Sequence, residues 1–240
     1  MKKAVVIFSM LLIGLSTQAQ WFNSKTIKGN GEVISKIRNT SDYDAINVSG
    51  FFDVTLVKGK EGKIIIKAES NLMDYIITEV NGDELVIKLK KGTSLKTKKG
   101  IFITVPFKDI DKISLSGSGD ISNKDVISEN ELEVKLNGSG DIKLDLNVDK
   151  VRAKINGSGD ITLIGKTDNL ATSVTGSGDF MAKDLIANNV EANVIGSGDV
   201  TVYASKKIDA KVTGSGDVVF YGNPERENTK IIGSGDITAK

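Results

Sequence analysis

The stretch 156-NGSGDITLIG-165 decides how this chain is read, because its Gly-Ser-Gly-Asp occurs seven times. The first glycines are Gly117, Gly138, Gly157, Gly176, Gly196, Gly214 and Gly233. The motif therefore returns at a nearly constant interval, and a period of about 20 residues is the mark of a solenoid or of a chain of hairpins. One such unit cannot bury its apolar face alone, and its neighbours supply the missing partner.

The flanks of the motif carry the register. Two residues before each first glycine stand Leu115, Leu136, Ile155, Val174, Val194, Val212 and Ile231, and directly after each Asp stand Ile121, Ile142, Ile161, Phe180, Val200, Val218 and Ile237. Further out come Leu132, Val151, Leu170, Val190 and Ile208 on one side, and Leu144, Leu163, Ala182, Val202 and Phe220 on the other. Around each first glycine these separations are even, and side chains of a strand alternate faces with period 2. The apolar set is therefore the inner face. By the same parity both glycines fall inside, with Ser and Asp outside. Glycine at an inner position means that the chain bends there or that another backbone comes too close to admit a Cβ.

At about 3.3 Å per residue one copy makes a circuit of roughly 60 Å. The pattern predicts an all-β, single-stranded parallel β-helix of about 19 to 20 residues per rung. An antiparallel meander or barrel stays open, because Asn137-Gly138 and Asn156-Gly157 are hairpin signals. Stacking accounts better for seven identical turns, since it sets identical residues over one another.

The same register extends toward the N-terminus. The run 46-INVSGFFDVTL-56 overlays the repeat, with Gly50 and Asp53 in place and Phe52 where the second glycine would be. It reads as an eighth, altered copy whose interior Phe52 fills. Strand-like runs KIIIKA, YIITEV, ELVIKL and IFITV follow, and no segment shows a helical period. The chain divides into a signal peptide (1–19), an N-terminal tail (20–30) and a β-helix domain (31–240), with irregular rungs over 31–112 and regular ones over 113–240.

Composition limits function. With 32 Lys and Arg against 31 Asp and Glu, the net charge is +1, which points to neither nucleic acid nor an anionic membrane. Lys2 and Lys3, the apolar run of residues 4–15, and the small Thr17 and Ala19 form an export signal with cleavage before Gln20. The apolar run falls short of the ~20 residues a membrane span needs. The expected location is periplasmic or extracellular. There is no cysteine, hence no disulfide and no lipid-modified cysteine, and no histidine, hence no conventional Ser-His catalysis and no His-based metal site.

The export signal, the β-rich start 31-GEVISKIRNTSDYDAINVSGFFDVTLVKG-59, the junction 105-VPFKDIDKISLSGSGDI-121 and the repeats together resemble the putative autotransporter adhesin head GIN domain family, exported proteins of Bacteroidetes-type bacteria. The resemblance runs from about Gly31 to the end. It implies a right-handed single-stranded β-helix outside the cytoplasm and says little about chemistry.

Candidate functional residues lie in the repeat. Asp120, Asp141, Asp160, Asp179, Asp199, Asp217 and Asp236 would form an outward stripe beside Ser118, Ser139, Ser158, Ser177, Ser197, Ser215 and Ser234. At about 4.8 Å per rung, seven carboxylates span roughly 30 Å. Neighbours repel by about 1 kcal/mol even in water, so something must compensate. Two readings stay open: each Asp accepts hydrogen bonds from backbone amides, or the stripe binds calcium, which takes six to eight oxygens. Lys135, Lys154, Lys211 and Lys230, also outward, offer partial compensation or simply a solvated face. The segment 90-KKGTSLKTKKG-100 reads as a solvated basic loop, with contact to an acidic glycan as the alternative. Trp21 and Phe22 read as a cap or a tail.

These features describe a non-enzymatic, adhesin-like binding or structural module with no cofactor, whose partner is a cell-surface glycan or an envelope protein. A polysaccharide-acting enzyme on the same fold and a calcium-stabilised structural element are the alternatives. A repeat that runs to the last residues leaves a rung edge through which two chains could pair as a homodimer.

Overall fold

The computed structural model describes residues 25–240. The signal peptide, its cleavage site, Trp21 and Phe22 lie outside the described residues. Nineteen strands and one 3-10 turn make up the described chain. In chain order the first part comprises β1 (Lys25–Lys28), β2 (Val33–Asn39), β3 (Ala45–Gly50), β4 (Asp53–Lys58), β5 (Lys63–Glu69), the 3-10 turn Ser70–Tyr75, β6 (Ile76–Asn81), β7 (Glu84–Leu89), β8 (Thr93–Lys96) and β9 (Phe102–Phe107). The repeats follow as β10 (Lys112–Gly117), β11 (Asp120–Asn123), β12 (Ile127–Gly138), β13 (Asp141–Gly157), β14 (Ile161–Gly176), β15 (Phe180–Gly196), β16 (Val200–Gly214), β17 (Val218–Tyr221), β18 (Arg226–Gly233) and β19 (Ile237–Ala239).

The repeats stack in parallel, as a β-solenoid of about 7 turns, and the meander is excluded. Each copy lies on the last with like residues over like: Leu136 pairs with Ile155, Ile155 with Val174, and Gly138 with Gly157. Every turn has two flanks. One leads away from the Asp and the other runs up to the first glycine, and the ladder skips Asp149 and Asp168 where one flank passes into the other. The inner positions read from the sequence form one continuous core, with Leu115, Leu136, Val174, Val212, Leu144 and Leu163 at 0% exposure.

The altered first copy sits where its register places it. Ile46, Val48 and Gly50 pair with Ile113, Leu115 and Gly117, and Asp53 pairs with Asp120. Phe52 is fully buried.

The order of rungs along the axis departs from the order in the chain. β7 and β9 lie in parallel beneath β3 and β4, although they come later in sequence, and β10 and β11 then return to lie on top. Lys112 reaches across the small Ala45 to Glu84, Nζ to Oε1 2.8 Å, and so clasps the rungs on either side of β3. Of the segment 31–112, then, only part makes rungs. β2, β5 and β6 pair antiparallel, with β5 against β9 and β6 against β7, and cover the N-terminal end. Arg38 donates to the carbonyls of Met73 and Ile76, which fixes the 3-10 turn and seats Leu72 and Met73 in the core.

Glu69, with no exposed surface, ties this cap together. It accepts hydrogen bonds from Gly31 N (2.7 Å), Thr97 Oγ1 (2.7 Å) and Lys98 N (2.9 Å). The hydroxyl of Thr97, aided by the two amides, holds its carboxyl below the usual range against the effect of burial. The lysine-rich segment is thus no free loop: it contains β8, paired with β1, and buries Leu95.

At the other end β18 and β19 each pair on one side only among the described residues. Glu227 and Thr229 fall in register with the buried Ile208 and Ala210, so polar side chains stand at inner positions of the last rung. Ile231 remains 44% exposed over the end of the core.

Candidate functional site

The Gly-Ser-Gly-Asp corner is built by backbone approaching backbone. In each copy the amides of Ser and of the second glycine converge on the carbonyl of the first glycine one rung earlier. Ser177 N and Gly178 N, for example, both donate to Gly157 O, at 2.9 and 3.1 Å. A Cβ on Gly176 would overlap that oxygen and lie 3.1 Å from its carbon, and one on Gly178 would meet Gly159 in the same way. The first glycines also hold φ between +125° and +137° in the seven copies, where side chains are strained. The second glycine is buried as expected, but the first, which the same parity placed inside, is half-buried or exposed, because its positive φ turns the chain at the corner. Close approach of a neighbouring backbone, more than interior crowding, explains the pair.

The Asp stripe exists, and its carboxylates are used. Asp120 Oδ1 accepts from Asp141 N (3.2 Å), Asp141 from Asp160 N (3.1 Å), Asp160 from Asp179 N (2.8 Å), Asp179 from Asp199 N (2.9 Å), Asp199 from Asp217 N and Asp217 from Asp236 N (both 2.8 Å). Each acid satisfies the amide of the next. An amide dipole at each carboxylate from Asp120 to Asp217 offsets the repulsion along the stripe. At its base, burial and then the charge of Asp120 raise the carboxyl of Asp53. The serines stand exposed beside the stripe. Among the described residues no three acids gather in a geometry that would hold a metal ion.

The two outer faces differ. The flank before the glycine is laced with ion pairs: Glu133 with Lys135 (2.8 Å), Glu131 with Lys150 (3.3 Å) and Arg152 (3.0 Å), and Lys207 with Asp209. Of the four lysines read from the sequence, Lys135 is held in this way, and Lys154, Lys211 and Lys230 are exposed.

The flank after the Asp changes character along the axis. In its C-terminal half the outward positions Thr201, Tyr203, Val219, Tyr221 and Thr238 carry no charge, and the exposed Lys240 follows opposite Tyr221. There Met181 pairs with Thr201, and Tyr203 with Tyr221 on the next rung. Sequence reasoning passed over this strip. Its only signal was an uneven period, the interval from Gly176 to Gly196 being longer than those on either side of it. No helix among the described residues is long and apolar enough to cross a membrane.

This scaffold has known counterparts. The family described as "Putative auto-transporter adhesin, head GIN domain" matches residues 42–224. The chain belongs to that family. Among solved structures it is similar to a "putative adhesin" of Bacteroides fragilis NCTC 9343, 26% identical with a TM-score of 0.83, over 89% of this chain and 100% of the other. It is also similar to a "putative lipid binding protein" of Parabacteroides distasonis ATCC 8503, 29% identical with a TM-score of 0.75, over 90% and 100%. A "putative adhesin" of Parabacteroides merdae ATCC 43184, 23% identical with a TM-score of 0.72 over 90% and 99%, shares the fold. Among curated proteins nothing matches.

Proposed function

We propose that this member of the head GIN domain family is an exported, non-enzymatic binding module, an adhesin-like solenoid that presents its outer faces to a glycan or protein of the cell surface or envelope. The observation that supports this reading is the register itself. Identical turns stacked on one another hold outward side chains in fixed columns, so a long surface is preorganised before any partner arrives. The adhesin descriptions of the family and of its similar structures agree with it.

The test uses the exported chain purified from its own secretion, with its N-terminus sequenced. A start at Gln20 and saturable binding to intact envelopes are expected. Incubation with acidic polysaccharides should leave chain lengths unchanged. New reducing ends that vanish when an acid of the chain is replaced would overturn the non-enzymatic assignment, and an N-terminus at Met1 would overturn export.

A further inference from the structure

We infer that the flank after the Asp carries a saccharide site, at the bulge of β15 and the tyrosine column beside it; this rests on the binding-module reading and gives it a location. The rung running from Gly176 to Gly196 is longer than the one before it, from Gly157 to Gly176, and the one after it, from Gly196 to Gly214. The surplus is taken up after Ala182. The ladder to β14 shifts between Thr162 and Gly165, and the ladder to β16 shifts between Ala182 and Ile186. Lys183 and Asp184 are thereby lifted out of the pairing, as bulged residues are, and both are exposed.

The lifted segment opens a cavity of about 270 Å³, the space of a small ring, lined by Thr162, Ile164, Met181, Lys183, Asp184 and Thr201. Ile164 and Met181 give it an apolar lining, and Met181 is 40% exposed. Hydroxyls from Thr162 and Thr201 stand on the rungs either side, and a carboxylate and an ammonium lie at the rim. Past Thr201 the surface continues into Tyr203 and Tyr221, two half-buried rings one rung apart, with Ile186 (44% exposed) in register with Tyr203.

Charge selects the occupant. Lys183 and Asp184 are adjacent and opposite, so the rim has no net charge, and the outward residues next to it on this flank, Thr201, Tyr203, Val219 and Tyr221, carry none. A polyanion would meet exposed lysines elsewhere, at Lys154, Lys211 and Lys230 on the other flank and at Lys143 one rung below Thr162, whereas at the cavity its charge would stand beside Asp184. A neutral sugar ring matches each element: its C–H face lies on Met181 or a tyrosine ring, and its hydroxyls reach the threonines, Asp184 and Lys183. An acyl chain would leave those hydroxyls and the charged rim without partners.

The test applies the exported chain to arrays of neutral and acidic glycans and, separately, to phosphatidylcholine and phosphatidylglycerol vesicles. Variants Tyr203→Ala, Met181→Ala and Asp184→Asn are compared with Lys154→Ala and Lys211→Ala on the other flank, and melting temperature confirms that each folds. Expected is binding to neutral glycans, weakened about tenfold or more by each of the first three substitutions and unchanged by the lysine variants. Glycan binding lost only in the lysine variants would overturn this site and leave the binding module standing. Vesicle binding lost in the first three variants, without glycan binding, would replace the sugar by a lipid. Envelope binding indifferent to all five substitutions would refute the site alone, and absence of any binding would refute both.

Discussion

Replacing Gly176 by alanine puts the rung-on-rung contact to a quantitative test. The new methyl would overlap the carbonyl oxygen of Gly157 and lie 3.1 Å from its carbon and 3.2 Å from its nitrogen. None of these atoms is the end of a flexible side chain, so relief requires the rungs to part. The two hydrogen bonds that converge on Gly157 O, from Ser177 and Gly178, are then lost, at about 0.5–1.5 kcal/mol each. The φ of +125° adds roughly 1–2 kcal/mol for a residue with a Cβ. The expected loss is about 2–5 kcal/mol, which at 2–4 °C per kcal/mol lowers the melting temperature of a chain this size by roughly 4–20 °C.

Two controls separate the contributions. Gly82→Ala has φ +68° with nothing within 4 Å, so it bears the conformational cost alone. Ser177→Ala changes an exposed side chain and should stay within about 0.5 kcal/mol. Urea unfolding followed by far-ultraviolet circular dichroism measures all three. Equal losses for Gly176→Ala and Gly82→Ala would show that the corner is a turn like any other and that the stacked carbonyl contributes nothing.

Asp179→Ala removes the acceptor of Asp199 N and should cost about 1–2 kcal/mol, as a partly solvated charge-assisted bond. In Asp236→Ala no next rung loses an acceptor among the described residues, so urea midpoints should show almost no change. Thr172 is 2% exposed, stands in register with Ala153 and Ala192, and has a hydroxyl without a partner; Thr172→Val should therefore stabilise by about 1 kcal/mol in the same assay. Glu84 is held below the ordinary carboxyl range, chiefly by the hydrogen bond from Lys112. A lowered acid stabilises above its unfolded value and loses that contribution as pH falls through the folded one. Glu84→Gln should consequently melt lower than the parent at pH 7, by less than about 1 kcal/mol for a partly exposed pair, and the gap should close in strong acid.

Much of the architecture was legible because the signal was local. Apolar residues at even separations around each first glycine fixed the inner face, and the match of Ile46, Val48, Gly50 and Asp53 to the repeat placed a copy with no Gly-Ser-Gly at all. What escaped reading depends on partners far apart in sequence. Nothing in 84-ELVIKL-89 says that it lies beneath β3 and not above it. That order appears only in the pairing: β5 and β6 turn back against β9 and β7, and Lys112 reaches over Ala45 to Glu84. The bulge of β15 was visible as an uneven period, but a count of residues does not say on which flank the surplus is placed. The tyrosine column escaped for the same reason, since Tyr203 and Tyr221 become neighbours only when the register between β16 and β17 is known.

The Asp stripe works as a device of construction. Seven acids in a row carry a repulsion that the sequence leaves open to two kinds of compensation, the chain's own backbone amides or a bound cation. In the structure the compensation comes from within. Each carboxylate from Asp120 to Asp217 accepts from the amide of the Asp on the next turn, so each of these turns supplies the acid for the one after. The motif is therefore repeated because every copy completes its neighbour. Constancy belongs to the corner, and the residues free to differ, at the bulge and on the outer columns, are where a partner can be distinguished.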